Sequence, residues 1–542
     1  MKKRVWAPLY LAVLIAGLTS LAGCGGTEGP QVETAEAGSE VDLGPTIGLF
    51  VDLVRPEPVT VEGYGLVGGL AGTGSASCPP QIRAYLRQHI LTQVPGDQVN
   101  PDELINSKNT AVVRLEGLIS ATPSQGEHFD VLVSLIPGSE ATSLSRGWLY
   151  KANLVARGTV GVTTRPLATV EGPVFVSTMG AAEADVRTGH ILGGGRTLYE
   201  YRAILSLRRE NYRMASAIRN RLSGRYGPNV ARAPSPGTIE VLVPPEYRLR
   251  KMRFIQMIPA TFLMVRPELS QARVDTFARR LATAEDREAS EITLEAIGRE
   301  SLSHLNALLN SSNVEVRFRA ARCMLNLGDD RGFHILRELA AETGSPYRLE
   351  ALDAIVVSAR RNDAVALARR LLRDEDVSIV LAAYEHLRRM DDSAVVKEVV
   401  GRKFYLEQVI QTDRKAIFVS RRGDPRIVLF GSPLRCRQNL FVESPDKAIV
   451  LNSKPGQNYV SVIRKHPTRP GIFGPTRTGF GLAGLIRLLG KEPTGSPGGW
   501  IDGLDVPYME VITLLEQMVA KAAVDAQFWA GPVPEVGLII KK

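Results

Sequence analysis

The fourteen residues from Val61 to Gly74 contain six glycines, and this run constrains the fold more than any other feature of the chain. Gly63, Gly65 and Gly68 have the G-x-G-x-x-G spacing of a dinucleotide-binding loop. Such a loop opens directly into a helix and finds an acidic residue about 20 positions further on. Here the glycines continue through Gly69, Gly72 and Gly74, a Cys78-Pro79-Pro80 interruption follows, and Arg83 stands where the acid belongs. No Gly-Lys-Ser/Thr follows, so the run is not a P-loop either. It is expected to serve close backbone packing or turns with positive φ, which glycine alone adopts without steric cost.

The 542-residue chain is too long for one ordinary core. Its 44% apolar and 23% charged content is that of a folded globular protein. Lys2-Lys3-Arg4, the apolar run Leu9 to Leu18 and the sequence Leu21-Ala22-Gly23-Cys24 read as an export signal with a bacterial lipobox. Cleavage before Cys24 would expose it for lipid attachment, and Gly25 after it suggests the outer membrane. Residues 24–45 then form a flexible tether. Loss of the three basic residues leaves 66 − 3 = 63 against 57 acidic ones, a net charge of +6, too modest for a dedicated nucleic-acid binder. Outside the signal no window is long and apolar enough to span a bilayer.

Cys78, Cys323 and Cys436 specify no disulfide by spacing, and a Cys78–Cys436 pair stays open. The seven histidines show no i, i+4 pair and there is no Cys-x-x-Cys, so no metal site or cofactor is expected. No nucleophile or carboxylate motif points to an enzyme. Asp130, between Phe129 and Val131, is expected to be a solvent-facing residue of an alternating strand. The cluster Arg248, Arg250, Lys251 and Arg253 reads as a solvated loop or an anion contact, and Gly193 to Gly195 as a flexible turn.

Several segments follow one pattern in chain order. They are Gly63 to Val67 with Gly69 to Gly74, Asn109 to Val113, Gly126 to Ser134, Ser143 to Leu149 and Gly237 to Pro244. A helix–loop–helix end (Gly481 to Gly490, then Val506 to Val519) completes the series. In this the chain resembles the P-ring proteins of bacterial flagellar basal bodies, well over residues 46–260 and moderately over 480–528. The resemblance implies a structural, non-enzymatic subunit of a homo-oligomeric periplasmic ring around the flagellar rod, a bushing for motility. Its partners would be rod and outer-ring proteins and peptidoglycan, with the membrane reached through lipid on Cys24.

Residues 285–400 depart from that pattern. They read as nearly pure helix with a repeat of 31 and 32 residues, in which Ala320, Ala351 and Ala383 correspond, as do Met324, Ile355 and Leu387. Stacked helical hairpins repeat in this way, and the segment resembles HEAT-like repeats. The chain is expected to be α+β, with β-rich mixed domains interrupted by this all-α insert. The expected parts are a signal (1–23), tether (24–45), two P-ring-like domains (46–165 and 166–284), the helical repeats (285–400), a β-rich segment (401–480) and C-terminal helices with a tail (481–542). Excising 285–400 is expected to leave the flanks folded. A second function class is kept beside the ring, a lipid-anchored envelope scaffold that binds partners through the helices.

Overall fold

The computed structural model describes residues 42–93, 100–159, 165–177, 185–283, 286–465, 472–493 and 502–532. The export signal, Cys24 and most of the tether lie outside these residues. The chain is α+β. Its first part runs β1 (Val51–Leu53), β2 (Val59–Gly68), α1 (Pro80–Gln93), α2 (Pro101–Ile105), β3 (Ala111–Ile119), β4 (His128–Leu135), β5 (Trp148–Ala156), β6 (Ala168–Pro173) and β7 (Thr188–Thr197). Strands β2 to β7 close into a barrel in the order β2-β3-β4-β7-β6-β5, each neighbouring pair antiparallel. Val67, Val113, Val133, Leu149 and Ile191 point into it. Leu66 and Val112 point outward instead, but α1 and α2 cover them with Leu86 and Ile105. Strand β3 is therefore buried on both faces along most of its length, and its two charged residues, Arg114 and Glu116, pair with each other at 2.8 Å. The boundary expected between 165 and 166 falls between β5 and β6, two paired strands of this barrel.

Next come β8 (Arg202–Leu207), α3 (Tyr212–Tyr226), β9 (Ala231–Ser235), β10 (Thr238–Leu242) and α4 (Lys251–Ala260). Asn211 caps α3, its side chain accepting from the amides of Arg213 and Met214. β1 pairs with β8, so the barrel is inserted between two strands of one sheet, ordered β1-β8-β10-β9. In β8, Ala203, Leu205 and Leu207 are buried while the alternate residues are exposed. α3 and α4 cover the buried face with Ile218, Leu222, Phe254 and Ile258.

Eight helices follow: α5 (Pro267–Thr283), α6 (Arg287–Ile297), α7 (Leu302–Leu308), α8 (Val314–Asn326), α9 (Arg331–Ala341), α10 (Arg348–Ser358), α11 (Arg361–Leu371) and α12 (Val377–Arg389). α6, α8, α10 and α12 touch one another in turn. The recurring residues Ala320, Met324, Ala351, Ile355, Ala383 and Leu387 are all fully buried and lie on α8, α10 and α12. The helical run begins before 285 and ends before 400, since β11 (Val395–Val400) is a strand.

β11 opens the last part, with β12 (Phe404–Val409), β13 (Ala416–Val419), β14 (Arg426–Phe430), β15 (Leu440–Glu443), β16 (Ile449–Ser453), β17 (Val460–Lys465), β18 (Ile472–Thr478), α13 (Leu482–Gly490), α14 (Tyr508–Ala520) and β19 (Gln527–Ala530). β15 to β18 form an antiparallel sheet. The other strands make a five-stranded mixed sheet, ordered β11-β12-β14-β13-β19, which takes its last strand from the C-terminal region expected to be helices and tail. Both faces of this sheet are covered. Ile417, Ile427 and Leu429 pack toward α13 and α14, while Phe418, Val428 and Phe430 share one core with the helices. Double burial is why β13 and β14 read Ala-Ile-Phe-Val and Arg-Ile-Val-Leu-Phe rather than alternating. Among the described residues no helix is long and apolar enough to cross a membrane.

Candidate functional site

The glycine-rich run is β2 and the turn that follows it. Gly63, Gly65 and Gly68 lie in the strand, and none of them has positive φ. The register between β2 and β5 shifts between Glu62 and Val67, and there the two backbones come together. A Cβ on Gly63 would sit 2.4 Å from the carbonyl oxygen of Asn153. On Gly65 it would meet Leu149 at 2.8 Å, and on Gly68 the Tyr150 hydroxyl at 2.7 Å. Positive φ occurs later in the run, at Gly69 (76°), Ala71 (47°) and Gly72 (91°). Gly74 again marks close approach, its Cβ position being 2.1 Å from the Thr110 carbonyl.

The amides of this loop have partners within the protein. Leu70 N donates to Asn109 O (3.0 Å), Thr73 N to Leu70 O (2.9 Å), Gly74 N to Lys108 O (2.9 Å) and Ser75 N to Thr110 O (2.8 Å). A phosphate loop would turn such donors toward its ligand; three of these turn toward the approach to β3, and that of Thr73 turns back into its own turn. The physical demand at Gly63 is therefore steric. Gly63→Val is expected to destabilise the chain by about 2–3 kcal/mol through overpacking against immovable backbone. Gly72→Ala, with open space around it, should lose about 1 kcal/mol from φ alone. Urea midpoints of the two variants check this ordering, and equal midpoints would refute it.

Three joints fix the barrel and the small sheet to the rest. At the first, Asp130 receives the amide of Gly193 (2.7 Å) and that of Gly423 in the β13–β14 turn (2.9 Å). Asp130 is thus half-buried and ties the barrel to the five-stranded sheet, rather than facing solvent as expected. Burial pushes its carboxyl up, against the opposing pull of the two amides and Arg422. Gly193 to Gly195 are not a turn either. They lie inside β7, where the register against β4 shifts beside Asp130 and Gly193 takes a φ of 62° to present its amide. At the second joint Arg146, after the barrel's β4, donates to Glu510 of α14 from Nε (2.9 Å) and Nη2 (2.6 Å).

The third joint holds α4 against the helices. Arg253 pairs with Glu291 and with Glu295, both at 2.8 Å. Glu291 is 0% exposed and also meets Arg322 (2.7 Å) and Arg319 (3.0 Å). Burial alone would raise its carboxyl, but Arg253, Arg322 and Arg319 together hold it below the usual carboxylate range. The same carboxylates hold Arg253 above its ordinary value despite its desolvation. Lys251 donates to Thr122 O and Ser124 Oγ, both at 2.8 Å, and Arg250 lies over the Tyr247 ring, 4.7 Å from its centre. The basic cluster is therefore an internal clamp, and only Arg248 among its four members is exposed. The missed signal was Glu291 and Glu295 at i, i+4 on α6, a spacing that aims two carboxylates at one neighbour.

Cys78, Cys323 and Cys436 are all free, and the latter two are buried. Among the described residues no group of three or more His, Cys, Asp or Glu side chains could hold a metal ion.

Residues 51–276 match the family model described as Flagellar P-ring protein. The chain is similar to the Flagellar P-ring protein of Wolinella succinogenes, 32% identical over 196 residues that cover 34% of this chain and 52% of the relative. That of Hydrogenovibrio crunogenus is 28% identical over 228 residues, covering 38% of this chain and 58% of the relative. A longer alignment, 24% identical over 331 residues, joins it to the protein of Wigglesworthia glossinidia brevipalpis and covers 56% of this chain and 85% of the relative. The chain thus spans between about half and two thirds of the length of the first curated relatives it matches. The matched segment takes in β1, the whole barrel, the small sheet, α4 and part of α5.

Proposed function

We propose that this chain is a structural subunit of a P ring in the bacterial flagellar basal body, a bushing around the rod. The carrying observation is that the match over 51–276 spans two complete folding units, the barrel and the sheet into which it is inserted. A motif shared by chance would not run through both of them. In this reading the chain is exported to the periplasm, held by lipid on Cys24, and closed into a ring by head-to-tail contacts. The tight β2–β5 packing at Gly63, Gly65 and Gly68 gives such a ring a stiff element, and its role is structural rather than catalytic. Terminal strand β11 carries the exposed residues Val396 and Val399, an edge suited to pairing with a neighbouring subunit.

The helices from α5 to α12 favour a second reading, since most of them lie beyond the matched segment. As HEAT-like hairpins they would bind a protein partner, on a ring or on a lipid-anchored envelope scaffold. Purified hook–basal bodies decide between the two. The ring reading expects the chain to co-purify with them and expects its deletion to remove one periplasmic ring in electron micrographs, with loss of motility. Intact basal bodies and normal swimming in the deletion strain would leave the scaffold.

A further inference from the structure

Where α3, the 261–266 connection, α5 and the end of α6 meet, the surface folds into a cleft of about 340 Å³. Three guanidinium groups line it: Arg221, Arg266 and Arg273. Glu300 is the one carboxylate among its lining residues, and it already accepts the Ser270 hydroxyl. Among the described residues none of the three arginines has a carboxylate partner. Arg221 gives Nε to Phe262 O (2.8 Å), and Arg273 gives Nε to Leu43 O (2.8 Å) and Nη1 to Met264 O (3.3 Å). These are neutral acceptors, and among the described residues they leave most of the ten N–H groups of the two arginines without one.

Arg273 is only 6% exposed and lies 3.9 Å from the centre of the Phe262 ring. A buried cation is ordinarily paired, as Arg253 is in this chain. Here burial is compounded by like charge. Desolvation and then Arg225 lower Arg221, and desolvation, Arg221 and Arg266 lower Arg273, with the Glu300 carboxylate opposing the shift in both. Carbonyls and an aromatic face fix the guanidinium planes without neutralising them. That arrangement is preorganised for planar, bidentate recognition of an oxyanion.

We propose that this cleft is an oxyanion site that takes a phosphate or carboxylate group on a small ligand, with Arg221 and Arg273 as inner donors and Arg266 at the mouth. The volume exceeds that of one such group, so the rest of the ligand is accommodated too. The site lies where the small sheet meets the helices, and its occupancy would brace that junction. The inference stands apart from the ring reading, since it rests on the cleft alone.

Titration calorimetry of the purified chain with inorganic phosphate and with succinate, against chloride at matched ionic strength, tests it. One saturable site is expected. Binding of phosphate alone identifies a phosphate-bearing ligand, of succinate alone a carboxylate, and of both a general oxyanion site. Arg266 is exposed and among the described residues its side chain bonds only to Met264 sulfur, so Arg266→Gln should fold normally. It should weaken binding about tenfold, the scale of one charge-assisted hydrogen bond. Arg221→Gln should weaken it further, while Arg248→Gln, outside the cleft, should not change it. Absence of saturable binding of either anion, or wild-type affinity in both cleft variants, overturns the proposal.

Discussion

Deleting residues 285–400 will unfold the strands that follow them, contrary to what a self-contained helical repeat would allow. Phe418, Val428 and Phe430 of the five-stranded sheet, with Val409 and Ala416, belong to the same core as α8, α10 and α12. Tyr384 stacks edge-on to Phe430, with ring centres 5.5 Å apart. Removing the helices would bare this face, a loss on the order of 10 kcal/mol at about 1.5–3 kcal/mol per large apolar side chain. That is comparable to the whole stability of an ordinary domain, about 5–15 kcal/mol. A polar penalty adds to it. Glu407 is 0% exposed and receives the Tyr384 hydroxyl (2.5 Å) and Arg388 Nε (2.8 Å), both from α12. Without them that carboxylate loses both donors. The deleted chain should lose its near-ultraviolet circular dichroism from the C-terminal aromatics and aggregate. A soluble deletion variant with a cooperative transition would contradict the shared core.

Glu291→Ala is expected to destabilise the chain by about 3 kcal/mol, near the lower end for breaking a buried ion pair. The lower end applies because Arg253 keeps Glu295 and Arg319 keeps Glu315, leaving Arg322 with the largest loss. The effect has a defined pH dependence. Glu291 is held below its unfolded value in the folded chain. Its contribution is therefore complete above the unfolded carboxylate pKa and disappears as pH falls through the lower folded value. Urea midpoints of wild type and variant should differ clearly at pH 7 and converge in strong acid. A constant difference over that range would mean that the charge of Glu291 is not what stabilises the joint.

Periodicity made the elements legible, and local chemistry set their ends. The alternation through Asn109 to Ile119 and Phe129 to Leu135, the i, i+4, i+8 series Met214, Ile218 and Leu222, and the recurrence of Ala320, Ala351 and Ala383 all follow from the pleat and the helical turn. They correspond to β3, β4, α3 and the α8–α10–α12 layer. The glycine run likewise announced close packing, because a missing Cβ is visible in any sequence. Which neighbour approaches was not visible. Gly63 meets Asn153, ninety residues away, only because the barrel closes β2 onto β5.

The same distinction explains the misread charges. Asp130 and Arg253 look like solvated residues because a sequence shows a charge but not the partner that allows its burial. Asp130 finds Gly423 across nearly three hundred residues, and Arg253 finds Glu291 on a helix of a different layer. Local physics determined the helices, the strands and the need for glycine. Chain closure, the insertion of the barrel between β1 and β8, and the pairing of distant charges were decided only in three dimensions, because each depends on which surfaces the folded chain brings into contact.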